Sequence, residues 1–198
     1  MKKEKLESIL NTANKMFARY GLRKTSLDEV ARMARVAKAT IYNYFGSKDR
    51  VYLEVLRGEA NEIVEKISSS VSQEVSPRDK LIAFARAKFR HMRQAINLLN
   101  LDREGIEKLL PSADTIRSEL FEQEVNILRS ILNEGVQKGV FHTSNALLTA
   151  RAISYGFRGF ELNWLVQEKN QEKIHHYLNE LMNIIFYGLT AKPSHPEL

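Results

Sequence analysis

Apolar residues recur every three or four positions along nearly the whole chain, and this helical period constrains the fold more than any other feature. In the first segment Ile9, Ala13 and Phe17 fall on one helix face, and Gly21 follows where a helix should end. Alternation of β-branched and polar residues is scarce, and no proline precedes Pro77. We therefore predict an all-α protein of about nine helices.

Local signals mark the starts of several predicted helices. Ser26 is followed three residues later by Glu29, which is the pattern of a capping box. Proline suits the first helical position, and the remaining start signals are Ser47, Ser76–Pro77, Pro111–Ser112 and Ser144. The helix predicted over 48–70 follows the preceding segment without a linker, so it should join an N-terminal module (1–47) to a larger body (48–192). Residues 193–198 are predicted to be a flexible tail.

Positive charge is concentrated at the N-terminus. The chain has a formal charge of +6, yet residues 1–50 hold 12 Lys and Arg against 5 Asp and Glu, a net of +7. The other residues hold 18 against 19, a net of −1. This asymmetry favours a module that faces a polyanion, joined to a near-neutral body. A merely solvated basic face is the alternative.

The composition argues against several other classes of protein. The chain has no cysteine, which excludes disulfides, thiolate metal sites and cysteine nucleophiles. No apolar run reaches the roughly 20 residues that a membrane helix needs, and the N-terminus lacks the apolar core of a signal peptide. We expect a soluble cytoplasmic protein without a cofactor. Sequence motifs of phosphate-binding loops, zinc peptidases and serine hydrolases are missing. His176 and Glu180 could share a metal, but a solvated pair is the simpler interpretation, so we predict no catalytic and no metal site.

Residues Ser26 to Phe45 combine two short predicted helices with a tight turn, which is the pattern of a helix-turn-helix. The second helix of such a unit fits the major groove of B-DNA, where each base pair has a distinct hydrogen-bonding pattern. Asn43 can bond adenine through two atoms, and Lys38 can reach guanine or a phosphate. The sequence therefore favours a DNA-binding module over a small helical bundle with a basic surface.

This region resembles the N-terminal domain of TetR-family transcriptional regulators over about residues 4–57. The shared residues occur at fixed spacing: Phe17, Tyr20–Gly21, Thr25–Ser26, Val30–Ala31, Val36, Thr40–Ile41–Tyr42, Tyr44–Phe45 and Ser47–Lys48. The resemblance implies an all-helical homodimer that binds a near-palindromic operator. In most members a small molecule in the C-terminal domain releases the DNA.

The resemblance also implies roles for individual residues. The groove-facing residues would be Lys38, Ala39, Thr40, Tyr42, Asn43 and Tyr44, and backbone phosphates would meet Thr25, Ser26, Tyr42 and Lys48. The chain departs from the family pattern in the turn, where Arg35 replaces the usual glycine and Ala37 the usual serine. We expect backbone strain at Arg35 and a missing helix cap at Ala37, or a phosphate contact by Arg35 that compensates.

The last two predicted helices carry more apolar surface than one stripe requires. The resemblance assigns them to a dimer interface with Ala152, Gly156, Gly159, Asn163, Ile174, Leu178, Leu181 and Ile185. Packing inside one chain is the alternative.

A ligand pocket is expected inside the body. The candidate lining residues are Ile63, Ile67, Phe84, Phe121, Val125, Leu128, Phe157 and Trp164, with Lys88 and His91 able to meet an anionic head group. Each could equally be plain core. We therefore predict a repressor that a small, largely apolar molecule releases from DNA. The alternative is a DNA-binding activator or partner-controlled factor without a small-molecule ligand.

Overall fold

The structure is a computed structural model that describes residues 2–99, 107–160 and 171–188, and within these ranges it is helical without strands. The α-helices are α1 (Lys2–Lys24), α2 (Leu27–Met33), α3 (Lys38–Phe45), α4 (Lys48–Ser72), α5 (Pro77–Met92), α6 (Ile96–Leu99), α7 (Leu110–Gln137), α8 (Ala146–Phe160) and α9 (Gln171–Tyr187). A short 3-10 helix, Glu107–Leu109, precedes α7. The all-α prediction is confirmed.

The first three helices pack around a small apolar core, as the sequence pattern predicts. Ile9, Phe17, Val30, Ile41 and Phe45 are buried. At Gly21 the backbone of α1 turns to φ 79° and leaves the helical conformation, which glycine adopts without a steric penalty. The helical run therefore breaks at the predicted residue.

The turn between α2 and α3 contains the expected strain. Arg35 has φ 56° and is the one non-glycine residue with a left-handed backbone in the described ranges. Its N–H donates to the carbonyl of Arg32 at 3.3 Å, and the N–H of Val36 donates to the carbonyl of Ala31 at 3.0 Å. This pair of bonds is a Schellman motif, in which glycine is the usual residue at the position of Arg35. Ala37 begins α3 without a side-chain cap, as predicted.

Helix α4 extends from the N-terminal module into the body. Its N-cap Ser47 accepts a hydrogen bond from the backbone N–H of Arg50. Near this end Tyr52 meets Phe17 of α1 edge-on, with ring centroids 5.1 Å apart. Further along, α4 packs against α5 and α7. A displacement of α4 in the body would therefore move residues that touch α1.

The body interior is rich in aromatic side chains. Phe157 of α8 lies between two rings of α5, with its centroid 6.2 Å from Phe84 and 5.5 Å from Phe89. Tyr155 of the same helix is largely exposed, and its ring centroid lies 4.8 Å from that of Phe121 of α7. Residues 1–157 form one compact unit and residues 158–198 a second.

Helix α8 begins one residue later than its predicted start signal, because Asn145 rather than Ser144 accepts the hydrogen bond from the N–H of Leu148.

Candidate DNA-binding site

Helix α3 has one buried and one exposed face. Ile41 and Phe45 point into the module and fix the helix by their burial. Opposite them lie the exposed side chains of Lys38, Ala39, Tyr42, Asn43 and Tyr44, while Thr40 is half-buried. The exposed face therefore combines a cation, an amide and two phenols, which are groups that can contact base edges and phosphates.

An ion pair orients the cation of this face. Lys38 Nζ lies 2.8 Å from Asp28 Oδ1 and 3.1 Å from Asp28 Oδ2. The ammonium also lies 5.9 Å from the centroid of the Tyr42 ring. Hydrogen bonding to Asp28 and its charge raise the pKa of Lys38, so the side chain is fully charged near neutral pH. Sequence reasoning missed Asp28, although an acidic residue in a basic module was a visible signal.

A cleft of about 380 Å³ lies beside the exposed face of α3. Its lining is mostly polar or basic and includes Arg23, Lys24, Ser26, Lys38 and Tyr42. Ser26 is exposed, and its hydroxyl accepts a hydrogen bond from the N–H of Asp28 at 3.2 Å. The basic residues of the lining outnumber its one acidic residue, Asp28, and the resulting net positive charge suits a phosphate group.

Two predicted phosphate contacts have internal partners instead. The hydroxyl of Thr25 is 2 % exposed and donates to the Gly21 carbonyl at 2.8 Å. The ammonium of Lys48 donates to the carbonyls of Leu22 at 2.9 Å and of Thr25 at 3.2 Å. The prediction of a phosphate contact by the Thr25 hydroxyl is therefore corrected, because that hydroxyl is committed to the interior. Lys48 acts first as a clamp on the carbonyls that end α1.

Most predicted pocket residues lie in the core of the body. Those that are fully buried are Ile63, Ile67, Phe84, Val125, Leu128 and Phe157, and Phe121 is nearly so. Trp164 lies outside the described residues. Burial suits both a ligand-lined interior and plain core, so the pocket remains a prediction.

The two polar pocket candidates have partners within the chain. Lys88 is 1 % exposed, and its Nζ lies 2.6 Å from Glu124 Oε1, a residue that sequence reasoning missed. His91 is half-buried, and its Nδ1 lies 3.0 Å from Gln94 Oε1. Lys88 already has a buried carboxylate as a partner, and the anionic head-group site remains a prediction.

The predicted dimer residues divide by helix. In α8, Ala152, Gly156 and Gly159 form an exposed strip of small residues. In α9, Leu178 is buried, and Leu181 and Ile185 are half-buried. Asn163 lies outside the described residues, and nothing is described of the Ile174 side chain. The interface therefore remains a prediction.

Two further features of the described residues bear on other classes of function. None of their helices is long and apolar enough to cross a membrane. In the same ranges no three His, Asp or Glu side chains are grouped as metal ligands would be.

Comparisons with known proteins bear on the whole chain. The family model described as bacterial regulatory proteins, tetR family, matches residues 9–55. The fatty acid metabolism regulator protein of Bacillus subtilis (strain 168) is 20% identical, over 96% of this chain and 98% of that protein. The transcriptional repressor KstR2 of Mycolicibacterium smegmatis is 27% identical, over 68% of this chain and 66% of its own length.

Solved structures share the fold over nearly the full length. The fatty acid degradation regulator FadR of Bacillus halodurans superposes with a TM-score of 0.74 at 21% identity, covering 95% of this chain and 97% of that one. FadR of Bacillus subtilis, solved with stearoyl-CoA, has a TM-score of 0.70 at 19% identity, covering 93% and 99%. With the matched module and the exposed face of α3, these findings show that residues 9–55 form a module of the bacterial regulatory proteins, tetR family, and that the chain as a whole shares the FadR fold.

Proposed function

We infer that this chain is a dimeric repressor that binds a near-palindromic operator and leaves it when the body takes up an apolar, acyl-bearing molecule. The observation that carries the DNA-binding step is the exposed face of α3. There Lys38, Tyr42, Asn43 and Tyr44 stand opposite the buried Ile41 and Phe45. A helix with these side chains on its free face suits the major groove.

The contacts with DNA divide into two kinds. Asn43 would bond adenine, and Lys38 would bond guanine or a phosphate once it turns from Asp28. The cleft beside Ser26 would receive the sugar-phosphate backbone. Lys48 would contribute chiefly by clamping the end of α1, which fixes the position of Ser26. Contacts of the first kind give sequence preference, and those of the second kind give affinity that depends on salt.

A dimer is proposed because one short recognition helix covers only half of a typical operator. Two copies related by a two-fold axis would place their α3 helices about 34 Å apart, one turn of DNA. The exposed strip of Ala152, Gly156 and Gly159 supports close approach of a partner helix at α8. In the bacterial cell such a dimer would act in the cytoplasm, by binding rather than by catalysis.

The proposed ligand rests on the relatives and on the body interior. Two structural neighbours are named as fatty acid regulators, and one was solved with stearoyl-CoA. In this chain the corresponding body is built around Phe84, Phe89 and Phe157, which offer apolar contacts to an acyl chain. The ligand must bind the DNA-free conformation more tightly than the DNA-bound one in order to release the operator.

A buried carboxylate on α4 supports coupling between body and module. Glu59 is 5 % exposed, and its Oε1 accepts hydrogen bonds from Nδ2 of Asn14 on α1 at 3.3 Å and from Nδ2 of Asn97 on α6 at 2.8 Å. The backbone N–H groups of Asn97 and Leu98 donate to the same carboxylate at 3.3 and 2.9 Å. A shift of α6 would therefore pull on α4 and α1 together.

Selection from a random DNA pool tests the DNA-binding step. We expect enrichment of a near-palindromic site. Lys38→Ala should weaken binding to it and lower the slope of log affinity against log salt by about one phosphate contact or less. Lys66→Ala is the matched control, since it removes one exposed lysine from α4 outside the module. Equal effects of the two variants would contradict the assignment of α3.

A gel shift with the selected DNA tests the ligand step. Palmitoyl-CoA should release the operator at concentrations where coenzyme A alone does not. If palmitoyl-CoA failed to release DNA from a protein that binds it normally, the acyl ligand would be refuted, whereas the assignment as a DNA-binding regulator would stand.

Sedimentation of Tyr42→Ala should show the same oligomeric state as the wild type, and a gel shift should show weaker DNA binding.

A further inference from the structure

One buried hydroxyl in the body lacks a hydrogen-bond partner. Ser154 of α8 is 1 % exposed, and among the described side chains its Oγ is the buried polar atom left without a partner. Buried polar groups are nearly always paired, and an unpaired one is destabilising. A helical serine can often bond the carbonyl four residues earlier, but the Ala150 carbonyl is not its partner here. The hydroxyl therefore calls for a functional explanation.

The surroundings of Ser154 can be placed from the ring contacts of its neighbours in the chain. Phe157, three residues later on the same helix face, contacts Phe84 and Phe89 of α5. Tyr155 contacts Phe121 of α7. This turn of α8 therefore lies against the part of α5 that carries Lys88 and the part of α7 that carries Glu124. Ser154 lies on the Phe157 face of α8, and the buried charged residues described near this face are Lys88 and Glu124.

The buried pair determines which ligand group this interior can accept. Lys88 Nζ lies 2.6 Å from Glu124 Oε1, with side chains 2% and 3% exposed, so the ammonium already has a buried carboxylate as a partner. A free carboxylate entering here would have to compete with Glu124 for the Lys88 ammonium while losing its own hydration, which is unfavourable. A neutral oxygen adds no charge. The site therefore favours a carbonyl over the anionic head group that Lys88 alone would suggest.

We propose that Ser154 Oγ donates a hydrogen bond to the neutral carbonyl oxygen of an acyl ligand whose chain packs among Phe84, Phe89 and Phe157. This inference rests on the proposed ligand class and adds the atom that recognises it. A thioester or ester has the required oxygen. A free fatty acid carries the disfavoured charge, and an alkyl chain without the oxygen leaves Ser154 unpaired.

Calorimetric titration of the full chain with two matched probes tests the proposal. Palmitoyl-CoA and S-hexadecyl-CoA, its thioether, differ only in the carbonyl oxygen. The wild type should prefer palmitoyl-CoA by about tenfold, the effect of one buried hydrogen bond. Ser154→Ala should abolish that preference by weakening palmitoyl-CoA alone. Ser130→Ala, the same change at an exposed position of α7, should keep the preference.

Three results would overturn the proposal. The first is a preference for palmitoyl-CoA that survives in Ser154→Ala. The second is equal weakening of both probes in that variant together with a lower melting temperature, which would make Ser154 a packing residue only. The third is a wild type that binds neither probe, which would refute the acyl ligand class as well. The first two results leave that class intact, so the two failures can be told apart. Melting temperature unchanged or raised in Ser154→Ala is the expected result, because the variant removes an unpaired hydroxyl.

Discussion

Replacing Glu59 with leucine removes the carboxylate that joins α1, α4 and α6. In the folded chain this carboxylate accepts hydrogen bonds from two side-chain amides and from the backbone N–H groups of Asn97 and Leu98. The side-chain amides can turn to other partners. The two backbone groups cannot, because they are fixed in α6, and Glu59 is what holds the start of that short helix.

The magnitude follows from these groups. Two buried N–H groups without an acceptor destabilise the fold by roughly 2–6 kcal/mol. The leucine side chain offsets part of this loss, because removing a desolvated carboxylate and adding apolar contact stabilises the fold by roughly 1–3 kcal/mol. Glu59→Leu should therefore lower the free energy of unfolding by about 2 kcal/mol, and the melting temperature by about 4–8 °C for a chain of this size.

Urea denaturation followed by circular dichroism measures this change. Glu62→Leu is the matched control, since Glu62 is exposed on the same helix and its replacement should stay within about 0.5 kcal/mol of the wild type. Glu59→Gln should lie between the two, because it keeps one acceptor oxygen and the shape of the side chain. If Glu59→Leu and Glu62→Leu unfolded at the same urea concentration, the carboxylate would not hold the three helices together.

Three further predictions follow from single positions. Gly135→Ala should destabilise the protein by about 1–3 kcal/mol, because a Cβ there would overlap the Phe141 ring. Its control is Gly58→Ala, where a Cβ meets open space, and this variant should be neutral or stabilised by up to about 1 kcal/mol. Equal effects of the two variants in thermal denaturation would contradict this account. Arg35→Gly should raise the free energy of unfolding by about 1 kcal/mol by relieving φ 56°, and a fall in operator affinity and salt dependence would reveal a phosphate contact by Arg35. Burial raises the pKa of Glu59 above its ordinary 4.5 despite the opposing amides, so the folded chain holds this proton more tightly than the unfolded one. The stabilisation that comes from this tighter proton binding is complete below pH 4.5 and is lost as the pH rises through the raised pKa of Glu59. The unfolding free energy of the wild type relative to Glu59→Gln should therefore fall over that range, and a rise would contradict the sign.

Local pattern was sufficient for most of the helical architecture. The start of α5 at Ser76–Pro77 and the break at Gly21 follow from residues within a few positions of one another. The strain at Arg35 was expected from the resemblance, because the family pattern has glycine at that position. Helix periodicity and capping depend on neighbours three or four residues apart, which the sequence displays directly. The start of α8 was placed one residue early, since Ser144 and Asn145 are both capable caps and geometry selected the asparagine.

Polar residues were harder to assign, because their partners lie far away in the chain. Lys48 donates hydrogen bonds to carbonyls 23 and 26 residues earlier, and its phosphate contact remains a proposal. Lys88 pairs with a glutamate 36 residues later, a partner that the local sequence pattern does not indicate. No spacing rule links such residues, so their roles depended on the packing of α1, α4, α5 and α7.

The sequence by itself determined that this chain is helical, that its N-terminal module is basic, and that this module resembles those of TetR-family regulators. These properties depend on residues three or four positions apart and on exposed side chains, which can be identified without knowing the tertiary structure. Only the tertiary structure decided which charges are balanced, which helices Glu59 ties together, and that Ser154 is buried without a partner. Desolvation and hydrogen bonding depend on what surrounds a group in space, and that environment exists only once distant segments have packed.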